Sequence, residues 1–162
     1  MQAHDSDTTT ASATRAIDWK AAVWAGLIAG VVFMMAEMLM VAMFQGESAW
    51  GPPRMIAAMV LGQDVLQPPT FDIGIMMTAM MIHIPLSIIY GLALAALLRR
   101  ANAGTALMIG AAFGLAIYLI NFYAIASMIF PWFAMARGWV SAIAHIMFGA
   151  VAGLAYVWLR RA

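Results

Sequence analysis

Apolar residues in this chain come in four long runs separated by short polar breaks, and they do not alternate with polar residues within a run. A bilayer core of roughly 30 Å takes about 20 apolar residues of helix. Four segments meet that length: Trp19–Phe44, Ile73–Leu98, Thr105–Phe130 and Trp139–Leu159. Each predicts a transmembrane helix. The long connection between the first two, residues 45–72, contains the apolar stretch Pro52–Gly62 (PPRMIAAMVLG), too short to span. It predicts an interfacial or re-entrant helix with proline in its first turn, ended by QPPTFD before the second span.

The polar breaks set the orientation. Arg15, Lys20, Arg99, Arg100, Arg160 and Arg161 fall on one side of the four spans and only Arg54 and Arg137 on the other. The excess of Lys and Arg belongs on the cytoplasmic side, so both termini are expected inside a bacterial-type inner (plasma) membrane. Trp19, Trp24 and Trp158 near the inner ends, with Trp50, Trp132 and Trp139 near the outer ends, suit interfacial belts. Residues 1–17 are polar and predict a short disordered cytoplasmic tail. The first apolar run is too long for a signal-peptide core and has no small-residue cleavage pattern behind it.

The polar positions inside the runs repeat. The first span carries Gly26 and Gly30 and then Glu37; the third carries Gly110 and Gly114 and then Asn121, at the same offsets. The second has His83-Ile84, Gly91-Leu92-Ala93 and Arg99-Arg100; the fourth has His145-Ile146, Gly153-Leu154-Ala155 and Arg160-Arg161. The expected fold is therefore an all-α, four-helix up-down bundle made by tandem duplication of a two-helix hairpin, one repeat over about 19–100 and the other over about 103–161. The paired glycines let helices approach closely in lipid, within the bundle or in self-association.

Composition agrees: 65% of the 162 residues are hydrophobic, 9% are charged and the mean hydropathy is +0.92, far from the balance of a soluble domain. The net charge of +1, with no basic stripe, gives no sign of nucleic-acid binding. With no cysteine there can be no disulfide, thiolate metal site, iron–sulfur cluster or cysteine nucleophile. No Walker A, GxSxG or HExxH motif is present. The chain is expected to work with the lipid bilayer and with other membrane subunits, or with copies of itself, more than as a stand-alone enzyme.

Candidate chemistry sits at one depth. Glu37, His83, Asn121 and His145 lie about 7 to 11 residues from the outer helix ends, roughly 10–17 Å down at 1.5 Å per residue. Such groups are costly in lipid and should face the bundle interior. Ser87 and Ser141 lie one turn from the histidines, and Tyr118 and Tyr123 flank Asn121. In one reading Glu37 and Asn121 satisfy the two imidazoles as a structural lock, and no cofactor is bound; this is the leading single expectation. In a second, His83 and His145 on diagonal helices, roughly 11–14 Å apart, hold a haem b, with Arg54 or Arg137 pairing its propionates. In a third, His83, His145 and Glu37 form a non-haem metal set. Methionines Met35, Met38, Met40 and Met43 on the first span and Met76, Met77, Met80 and Met81 on the second add a copper variant of that reading, although Met is also an adaptable gap-filler. A proton-coupled transport component is the remaining reading.

The placement of His83 and His145 on the second and fourth spans, with Gly26, Gly30, Gly110 and Gly114 on the first and third, resembles membrane b-type cytochromes. In those proteins facing histidines hold haem and glycines pack against it, commonly with two histidines per helix; here each helix carries one. The resemblance implies a small redox-associated subunit with a quinol- or electron-transferring role. The competing expectation is a structural subunit or assembly factor without a cofactor.

Overall fold

A computed structural model describes residues 16–160, the side chains of 126 and 127 excepted; most of the amino-terminal tail and Arg161 lie outside the described residues. Those residues are helical, without strands. Helix α1 (Trp19–Met40) continues as a π-helical turn over Val41–Gln45. After it come α2 (Gly51–Leu61), α3 (Ile73–Leu97) and α4 (Ala103–Ile120), the last continuing through a π-helical turn over Asn121–Ile125 into the short α5 (Ala126–Ile129). Helix α6 (Trp139–Leu159) closes the chain. Four helical segments, Trp19–Gln45, Ile73–Leu97, Ala103–Ile125 and Trp139–Leu159, are long and apolar enough to cross a membrane, which marks a multi-pass membrane protein.

Local chemistry fixes the helix starts. Asp18, Asp72 and Asn102 cap α1, α3 and α4, their side-chain oxygens accepting from the amides of Ala21, Ile75 and Thr105. Pro52 and Pro53 open α2, where the missing amide costs nothing. Gly62 follows α2 at φ +86°, a conformation that favours glycine.

The helices pack in the order α3, α1, α6, α4: α4 lies along α6, α6 along α1, and α1 along α3. Helices α3 and α4 meet at only a few points, so the bundle is open along that side. Small residues make the tight contacts. Gly91 is set against Ala22 and Gly26, where an added Cβ would lie 2.8 Å from the carbonyl oxygen of Ala22. A Cβ on Gly149 would overlap the carbonyl of Gly110, and one on Gly114 that of His145. Ala22, Ala25, Ala29, Leu94, Ala152 and Tyr156 fill the core beside these contacts. Near the chain's end the Arg160 guanidinium donates to the carbonyls of Leu98, Arg99 and Ala101, tying α6 to the α3–α4 connection.

At the other end α2 forms a cap packed mainly against α3. Arg54 is buried there, its Nε donating to Thr70 O at 2.8 Å and its Nη1 to Val65 O at 2.5 Å. Trp132 Nε1 donates to Met55 O at 3.1 Å, joining the α4–α6 connection to the same cap.

Candidate functional site

Below that cap the four helices separate around two cavities, and the residues of the polar layer are distributed between them. The first cavity, about 330 Å³, lies in the opening between α3 and α4. Phe33 from α1, His83 and Tyr90 from α3, Asn121 from the π-helical turn after α4, and His145 and Phe148 from α6 contribute to its walls. A volume of a few hundred Å³ with apolar walls and a few polar groups is the usual form of a small-molecule site.

Each imidazole is held by a main-chain carbonyl. His83 Nε2 lies 2.9 Å from Gly30 O, and His145 Nδ1 lies 2.7 Å from Ser141 O, one turn back on its own helix. A carbonyl can only accept, so each of these nitrogens donates. In the neutral rings this leaves His83 Nδ1 and His145 Nε2 as acceptors, the two histidines having opposite tautomers. Phe33 packs against both rings, stacked on His83 at a centroid distance of 5.5 Å and edge-on to His145 at 4.7 Å. Tyr118 and Phe122 also contact the His145 ring. Across the opening, Tyr90 on α3 and Asn121 form a hydrogen-bonded pair at 3.2 Å, a polar tie between helices that barely touch.

Glu37 faces the second cavity, about 460 Å³, enclosed by α1, the α2 cap and the connection before α6. Its Oε1 accepts from Ser141 Oγ at 2.5 Å. Its Oε2 is buried and has no hydrogen-bond partner among the described residues. Phe33, Ile56, Phe122 and Phe133 belong to both cavities and form the partition between them.

The polar residues pair differently from the lock read in the sequence. Glu37 bonds Ser141 and Asn121 bonds Tyr90, while main-chain carbonyls hold the histidines. Ser87 Oγ donates back to His83 O at 2.8 Å. Tyr118 OH accepts from Gly138 N at 3.0 Å, whereas Tyr123 is exposed, with the Arg137 guanidinium over its ring at 4.8 Å. Arg137 Nε donates to Phe122 O at 2.9 Å. Gly26 and Gly30 pack on Ser87, and Gly110 and Gly114 on α6.

These positions bear on the cofactor expectations. Where the haem reading sets His83 and His145 as axial ligands, Phe33 is packed against both imidazoles, and Arg54, one of its two candidate propionate partners, donates to loop carbonyls. Glu37, His83 and His145 do not form a metal set; no group of three such side chains is close enough to hold an ion among the described residues. Of the methionines named for copper, Met35, Met43, Met77 and Met81 are exposed on the outside of the bundle.

Two residues central to the site escaped the sequence reading. Tyr90 lies two turns after His83 and so on the same helix face, a spacing that could have found it. Phe33 lies one turn before Glu37, but nothing distinguishes it from other aromatic residues in lipid-spanning helices. No protein-family model, no curated protein and no solved structure matches this chain.

Proposed function

We propose that this chain is a small accessory subunit of a bacterial-type inner membrane, redox-associated, that holds a quinol-type ring in the cavity between α3 and α4. The observation that carries the proposal is the pair of imidazoles lining one aromatic cavity, each with its donor nitrogen spent on a carbonyl and its acceptor nitrogen left over. A ring bearing two hydroxyls is the complement of two acceptors. Phe33 and Phe148 offer flat apolar surface to such a ring, and the Tyr90–Asn121 pair adds both donor and acceptor capacity at the cavity wall. The sparse contact of α3 with α4 gives a lipid-soluble ligand a lateral route.

The proposed arrangement in the membrane is an up-down bundle with both termini cytoplasmic, supported by the six-to-two split of basic residues between the two sides. Tandem duplication is supported by equivalent contacts in the two hairpins. Asp18 and Asn102 cap the first helix of each. Gly91 packs on Ala22 as Gly153 packs on Ala106, and Gly26 meets the carbonyl of Ser87 as Gly110 meets that of Gly149.

The test is a titration of the purified protein in detergent with a short-chain benzoquinol, its dimethyl ether serving as the control that cannot donate. Saturable binding that falls at least tenfold in His145→Ala and is absent for the ether is expected. Equal binding of quinol and ether would remove the acceptor role of the imidazoles. The Glu37–Ser141 bond favours a second reading, a polar layer that only fixes helix register. Absence of any binding would leave that reading standing.

A further inference from the structure

The cavity under the α2 cap shares the partition of Phe33, Ile56, Phe122 and Phe133 with the ring site but has its own polar groups. Among its lining residues the charged groups are two carboxylates, Glu37 and Glu47, with no lysine, arginine or histidine. Glu37 is only 6% exposed, and one of its oxygens is enclosed without a partner. An enclosed carboxylate oxygen without a hydrogen bond is costly, and buried charges persist where a counter-charge completes them. No other described side chain supplies that charge. The rest of the wall includes the aromatic rings of Phe33, Phe122 and Phe133 and the thioethers of Met34, Met55 and Met135.

We propose that this cavity is a binding site for an aromatic or otherwise lipophilic organic monocation, with Glu37 as its counter-charge. Carboxyls are the only ionisable side chains of its lining, so any charge the wall carries is negative and sets the sign of the ligand. The volume of about 460 Å³ is far larger than a bare ion requires and is in the range of an organic molecule. Phenyl faces attract cations through their quadrupoles, more strongly where water is excluded. Flexible thioethers let the walls adapt to ligands of different shape. Glu47, exposed at the cavity's edge, adds negative charge where a cation would enter.

The test uses tetraphenylphosphonium as the probe and triphenylphosphine oxide as its neutral analogue, on the full chain in detergent micelles. Equilibrium dialysis is expected to show saturable binding of the cation and none of the oxide. Glu37→Gln should lower affinity at least tenfold, and Glu47→Gln no more than about threefold. Because a variant at Glu37 can disturb the bundle, the wild-type protein supplies a second readout. Dicyclohexylcarbodiimide attacks carboxyl groups in apolar surroundings, and mass spectrometry reports the rate at Glu37. Tetraphenylphosphonium should slow that labelling severalfold while the oxide leaves it unchanged. The proposal is overturned if the cation does not bind, if the oxide binds as well, if Glu37→Gln folds and binds equally, or if labelling of Glu37 is not protected.

Discussion

The two ends of this bundle use the same helices in opposite ways. Toward the start of α1 and the end of α6, alanines and glycines bring the backbones together, and Ala22, Ala25, Ala29, Ala95 and Ala152 are almost wholly enclosed. Toward the α2 cap the helices part around two cavities, and the side chains that fill the space are aromatic or polar. In lipid there is no hydrophobic effect to drive helix against helix, so close approach through small residues has to supply the contact energy. The tight end can therefore hold the helices while the hollow end spends its residues on a site. Polar groups at membrane depth fit the same division, being expensive and usually functional.

The largest effect should come from closing the smallest gap. Gly149→Leu puts a side chain where the Gly110 carbonyl stands, and neither backbone can yield. Overpacking of this kind costs about 3 kcal/mol or more where nothing relaxes. Unfolding in mixed micelles by added dodecyl sulfate should show a large loss of stability, and a near-neutral result would break the contrast between the two ends. A cut in the hollow end should be milder. Phe33→Ala removes the ring that touches both imidazoles, and with open space already beside it the cost should be about 2 kcal/mol, below that of a fully enclosed phenylalanine.

Arg54→Ala should act on the cap alone. It strips the donors from Val65 O and Thr70 O, a loss of roughly 1–3 kcal/mol for buried acceptors left unpaired. Limited proteolysis should then cut within 62–72 sooner, while far-ultraviolet circular dichroism stays that of a helical protein. Uniform loosening of all four spans would mean the cap is not separable from the bundle. The smallest effect is expected at Asn121→Ala, which unpairs Tyr90 for about 1 kcal/mol. Its sharper signature is a fewfold weakening of ring binding in the cavity it lines.

How much of this could be read from the chain differs along the same line. The spans and the helix at 51–61 follow from runs of apolar residues and a fixed rise per residue. The pairing of the polar residues does not. The partner of an imidazole depends on which carbonyl lies within reach, and Gly30 O becomes reachable because a glycine lets α3 approach α1. The burial of Arg54 is not legible either, because the loop carbonyls it serves are placed by the turn after Gly62. The two cavities are least legible, since they are bounded by the poor contact of α3 with α4 and by the packing of the α2 cap on α3, neither of which has a local sequence signal.

The central claim, that both imidazoles keep an acceptor nitrogen for a hydroxyl-bearing ring, is open to direct observation by ¹⁵N NMR of protein labelled at histidine. The expected spectrum has His83 protonated at Nε2 and His145 at Nδ1, and on adding the short-chain quinol the unprotonated nitrogens, His145 Nε2 above all, should shift upfield as they accept hydrogen bonds. Both rings in the same tautomer, or acceptor signals unmoved at saturating quinol, would contradict it.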